Sequence, residues 1–151
     1  MKIWTIIIVM LSVNISNGQN IEKIRRLYLQ SSNNYSKLDS LNYSLSNYKQ
    51  TNNLMSAYYG VNLILKSKYL KNPFKKIEYF EKGREILEDA IIKEPDNIEL
   101  IFLRYTVQKK TPSILMYKKD IEEDYQFIKS ELDSTKDQRL KKYISQTLQK
   151  L

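Results

Sequence analysis

Any catalysis in this chain would have to run on carboxylates, lysines, tyrosines and hydroxyls, because its 151 residues contain no histidine and no cysteine. Their absence removes the imidazole base, the thiolate nucleophile and the usual zinc ligands. Glu78, Glu81, Glu85 and Glu88 recur on adjacent turns of one helix-period segment, and a pair of carboxylates can run glycoside chemistry. The row interleaves with Lys82 and Arg84, so it reads as the solvated face of a helix. Asp120, Glu122, Glu123 and Asp124 lack the alternating oxygen ligands and turn glycine of a calcium loop. Asp120 and Glu123 read instead as an N-cap and its capping-box partner. Only Gly18, Gly60 and Gly83 occur, too few for a phosphate-cradling loop. The expectation is a non-enzymatic chain with no metal and no cofactor.

The one marked charge asymmetry is a run of five lysines, Lys66, Lys68, Lys71, Lys75 and Lys76, uninterrupted by any acid. One reading is an anion-binding segment for an acidic polysaccharide, lipid head groups or nucleic acid, with Tyr69 and Phe74 available to stack. The other is a solvated inter-helix insertion whose lysines keep an apolar loop soluble. Lysine without arginine argues against bidentate phosphate or base recognition, so nucleic acid is not expected as a partner.

These groups depend on helices for their positions. From Tyr79 to Gln108 two helix-period segments flank a Pro95-Asp96-Asn97 elbow. Phe80, Gly83, Leu87, Ala90 and Ile91 recur at three- and four-residue spacing in the first. Pro95 ends that helix, and Asp96 with Glu99 is expected to cap the next, which carries Ile98, Ile101, Phe102 and Tyr105 inward. The small residues Gly83 and Ala90 permit close antiparallel packing. Upstream, residues 54–70 form the most apolar segment, expected to be the central helix. Asn72-Pro73 caps and opens the helix through Ile77.

Nearer the N-terminus, residues 20–31 and 35–48 are amphipathic. The second carries Leu38, Leu41, Leu45 and Tyr48 in a short heptad-like stripe behind a Ser36 cap, either a core face or a seam for self-association. After Pro112, helices are expected from Asp120 and, behind a Ser134 or Thr135 cap, to Leu148. The fold class expected is all-α, six to seven helices in antiparallel hairpins, with residues 19–151 as a single α-helical domain.

Met1 to Gly18 reads as a signal peptide. Its apolar run Ile3–Val13 is too short to cross about 30 Å of hydrocarbon and suits a secretory h-region. Ser16 and Gly18 are the small residues peptidase needs, placing cleavage between Gly18 and Gln19. The expectation is a periplasmic or secreted protein without a transmembrane span after cleavage. With no disulfide to close loops, packing alone must hold it. Formal charge is +8, or +7 once Lys2 is removed with the signal peptide.

Gly83, Leu87, Ala90 and Pro95 stand at the offsets of the second half of a tetratricopeptide repeat. The nearest match to the repeat's upstream Tyr-Gly is Tyr59-Gly60, about eleven residues too far back, which implies an insertion, KSKYLKNPFKK, between the two helices. A wider resemblance is carried by AYYGVNLILKSKY, YFEKG, EPDNIELIFLRYTVQKKTPSIL, IEEDYQFI and LKKYI. These segments resemble a family of uncharacterised exported proteins of flavobacteria and other Bacteroidetes. In that family Ile101 is commonly an arginine. The resemblance implies a tetratricopeptide-like helical domain behind a signal peptide, and no reaction.

In such a fold, stacked hairpins present a concave face to a peptide or helix. The face expected here is Tyr58, Asn62 and Lys66 on one helix with Arg104 and Gln108 on another, although Tyr58 also suits a core position. The function expected is a protein-interaction or scaffolding module of the bacterial envelope. The alternative is an electrostatic binder of anionic envelope glycan or lipid through residues 66–76.

Overall fold

The computed structural model describes residues 20–46 and 52–151. The expected signal peptide, its Gly18/Gln19 cleavage point and Tyr48 lie outside these residues. Among the described residues every regular element is helical: α1 (residues 20–31), α2 (Tyr35–Leu45), α3 (Asn53–Ser67), α4 (Pro73–Lys93), α5 (Ile98–Lys110), a 3-10 turn (Ser113–Leu115), α6 (Ile121–Ser134) and α7 (Gln138–Leu148). None of these helices is long and apolar enough to cross a membrane.

Asparagine starts most of them. Asn34, Asn52, Asn72 and Asn97 each accept a backbone N–H of the following turn, and Asp137 does the same for α7. Each such cap is worth about 1 kcal/mol. Several caps differ from expectation. Asn34 replaces Ser36, Asn97 replaces Asp96, and Asp137 replaces Ser134 or Thr135, whose hydroxyls turn back to the Glu131 carbonyl. Glu99 closes no capping box, because its carboxylate points inward to Arg25. Asp120 starts α6 without a side-chain cap. The inter-helix insertion shortens to residues 68–72, because Pro73 opens a helix that continues unbroken to Lys93.

The α3–α4 hairpin is the packing centre. Asn53 at the start of α3 donates to Glu94 at the end of α4 (3.0 Å), so the two run antiparallel. They cross where Gly60 meets Gly83: a Cβ on Gly60 would stand 2.6 Å from the Gly83 carbonyl oxygen, and one on Gly83 would collide with the Gly60 carbonyl. Hydrogen atoms in place of side chains let the backbones touch there. α3 is buried on nearly every side, from Met55 to Ser67, as its apolar sequence predicts. α5 packs on α6 and lies against α3 and α4.

One hydrophobic cluster joins all seven helices, from Ile24 in α1 through Leu41, Val61, Leu87, Phe102 and Ile128 to Ile144 in α7. Leu38, Leu41 and Leu45 are completely buried within it. Fully burying a leucine is worth about 1.5–3 kcal/mol, so their stripe is a core face. It offers no seam to a second copy.

Candidate functional site

Tyr58, Asn62 and Gln108 were expected on a partner-binding face, and all three are 0% exposed. Their polar atoms are turned inward because helices on every side cover α3 and α5. The Tyr58 hydroxyl donates to Glu99 Oε1 at 2.6 Å, and Asn62 Nδ2 donates to the Leu38 carbonyl at 3.0 Å. Gln108 Nε2 donates to Asp120 Oδ2 at 3.1 Å, tying α5 to the start of α6. The face has no Tyr58, Asn62 or Gln108 to offer. Lys66, half-buried in the last turn of α3, complements the negative helix end.

Tyr58 belongs to a buried network that the helix pattern did not disclose. Arg25 grips Glu99 with two parallel hydrogen bonds, Nε to Oε1 at 2.8 Å and Nη2 to Oε2 at 2.7 Å. The fork geometry makes this the strong class of charge-assisted bond. Tyr143 in α7 lies 3.2 Å from the Tyr58 hydroxyl, and the Arg25 guanidinium sits 5.7 Å from the Tyr143 ring centroid. The Tyr28 and Thr106 hydroxyls meet at 2.5 Å. Burial pushes the Tyr28 phenol up to about 12 and holds Tyr58 and Tyr143 well above the usual phenol range. Burial alone would lower Arg25, but the Glu99 carboxylate reverses this and holds the guanidinium above its usual value. All of these phenols are protonated at neutral pH, so the cluster is a clamp on α1, α3, α5 and α7.

Arg104 is the centre of a second clamp. Its Nε and Nη2 donate to Asp124 at 2.9 and 2.5 Å and its Nη1 to Glu88 at 3.0 Å, while the Tyr117 hydroxyl donates to the other Glu88 oxygen. Burial raises the Asp124 pKa and Arg104 pulls it back. Arg104 is therefore committed to α4 and α6. Glu88, expected on the solvent face, is drawn in by the same two partners.

The lysine run divides. Lys71 and Lys75 project into solvent, and Tyr69 packs edge-on to Tyr35 at 5.2 Å rather than standing free. Lys68 and Lys76 instead line an apolar groove of about 490 Å³, within the range of about 300–1,000 Å³ typical of small-molecule sites. The groove lies at the end of the bundle where α1, α3, α5 and α7 finish and α4 begins. Ile64, Leu65, Phe80 and Val107 form its floor, and the exposed Leu29, Ile77 and Ile114 its walls. No acid lines it, and a third lysine, Lys110, joins the other two at its mouth.

Among the described residues none of these three lysines meets a carboxylate. Partial burial lowers Lys68 and Lys110, and their mutual repulsion lowers Lys68 further. Lys110 reads in the sequence as a dipole-complementing residue at a helix end, which conceals its place beside Lys68. The apolar wall residues are scattered over 85 positions and show no common spacing.

A broader depression runs along α4 and the connection between α5 and α6, past Glu85, Ile92 and Lys119. It is open, and its acids alternate with Lys82 and Arg84, so it presents no uniform chemistry. Compared with protein-family models, with curated proteins and with solved structures, the chain matches none of them.

Proposed function

We propose that this chain is an exported, non-catalytic binding module whose working element is the lysine-lipped apolar groove, and that it holds the apolar body of a small amphiphile there. The observation that carries this reading is exposure. Ile77 and Ile114 are 53% and 87% exposed beside the buried Phe80 and Val107, and together they form one concave apolar surface. Apolar surface of this kind, rimmed by polar groups, marks a binding site. The groups best suited to acid–base work, Arg25, Glu99, Tyr58 and Tyr143, are locked in one another's hydrogen bonds beneath the surface. This arrangement suits a binding role better than a catalytic one.

The reading keeps the envelope location expected from the sequence, takes up the alternative of a lipid-like partner rather than the protein partner expected first, and retains Lys68 and Lys76 of the 66–76 segment. The tetratricopeptide-like reading draws support from the close Gly60–Gly83 crossing, although Gly60 lies about eleven residues upstream of the repeat's usual register. The test is a titration with N-phenyl-1-naphthylamine, whose fluorescence rises in apolar surroundings. The full chain should bind one equivalent, and Ile77→Asp, placing a charge on an exposed wall, should weaken binding at least ten-fold. Equal binding by the variant, or none by the parent chain, would overturn the reading.

A further inference from the structure

We infer that the groove takes a single-chain anionic amphiphile, a fatty carboxylate, with its head group between Lys68 and Lys110 and its tail along Ile64, Phe80 and Val107. This rests on the groove being the binding site. The charge at the mouth decides the head group. Four helices, α1, α3, α5 and α7, end there, each with a partial charge of about −0.5, and the start of α4 contributes about +0.5. Together the helix ends supply roughly −1.5, against the positive charges of Lys68, Lys76 and Lys110. The balance is cationic.

That excess is unanswered within the described chain, because no acid lines the groove and none of the three lysines has an ion pair there. Lys110 Nζ has only a long contact to the Ser32 hydroxyl, at 3.4 Å. Two like charges sharing one mouth repel; Lys68 is lowered by partial burial and further by the charge of Lys110. An anion between them relieves that repulsion and a neutral head group does not. A lysine pair with no arginine also suits a simple carboxylate better than a group demanding a bidentate fork. The volume of about 490 Å³ suits one alkyl chain. Each methylene it buries is worth about four-fold in affinity, so affinity should rise with chain length and then level off when the groove is full.

The test is displacement of N-phenyl-1-naphthylamine from the full chain by dodecanoate, dodecanol and dodecyltrimethylammonium. Dodecanoate should displace the probe at a concentration at least ten-fold below dodecanol, and the cationic analogue should be weakest. In Lys68→Met/Lys110→Met, whose side chains stand at the surface, the advantage of dodecanoate over dodecanol should disappear. Unchanged helical circular dichroism would establish that this variant is folded. Equal displacement by acid and alcohol, or full dodecanoate affinity in the double variant, would overturn the head-group assignment and leave the groove standing. Failure of all three amphiphiles to displace the probe would overturn the groove reading, and this inference with it.

Discussion

Arg25 and Glu99 show how much a single buried pair controls. Both are almost fully buried, at 5% and 2% exposure, and the two parallel hydrogen bonds between them join α1 to α5. Removing one partner leaves the other charge uncompensated in a dry site, which costs about 3–5 kcal/mol. Arg25→Met should therefore lower urea stability by that amount. Arg25→Met/Glu99→Leu should recover much of it, because no unpaired charge is then left. A single-variant loss below about 1 kcal/mol would show the pair to be dispensable. Sequence periodicity left Tyr58 between a partner-binding face and the core, and it could not disclose Glu99 as a core residue. Glu99 stands three residues after an aspartate just beyond a proline, the pattern of a capping box, and only the approach of Arg25, 74 positions away, overrides that local role.

At the scale of elements, the α3–α4 crossing is the most sharply determined contact. On an isolated helix, replacing glycine by alanine gains about 1 kcal/mol. Here the added methyl would press on backbone at both Gly60 and Gly83, and overpacking typically costs about 1–3 kcal/mol. The backbone cannot swing aside as a flexible side chain can, so the clash should win. Gly60→Ala and Gly83→Ala should each destabilise by about 1–2 kcal/mol in urea unfolding. A gain of stability in either would contradict the close crossing.

The helix pattern was legible in advance: the central α3, the Asn72-Pro73 start, the Pro95 elbow and the inward leucine stripe of α2 all stand where periodicity places them. Caps were less so, because Asn, Asp, Ser and Thr crowd each boundary and all of them can cap. At Asp96-Asn97 the choice falls one residue later than the sequence suggests, on the residue whose Oδ1 reaches the Glu99 N–H at 3.1 Å.

At the scale of the whole molecule, two polar clamps hold a helical body together, one around Arg25 and one around Arg104, while the lysine-lipped groove remains open at the end of the bundle. The sequence announced the lysine run but not the groove, since Leu29, Ile64, Lys76 and Lys110 come from four different helices and meet only after folding. Conversely, the partner face assembled from Tyr58, Asn62 and Gln108 dissolves because α3 and α5 are covered all round. Helical spacing places residues on one side of a helix. It cannot state how many neighbours that helix has.

The most direct test of the groove as the working site is a set of nitrogen–proton correlation spectra of the full chain, recorded as dodecanoate is added. Saturable shifts should concentrate at Leu29, Lys68, Ile77, Val107, Lys110 and Ile114, with Glu85, Ile92 and Lys119 unmoved. Shifts centred on that second set, or a spectrum that does not change, would contradict the groove as the working site.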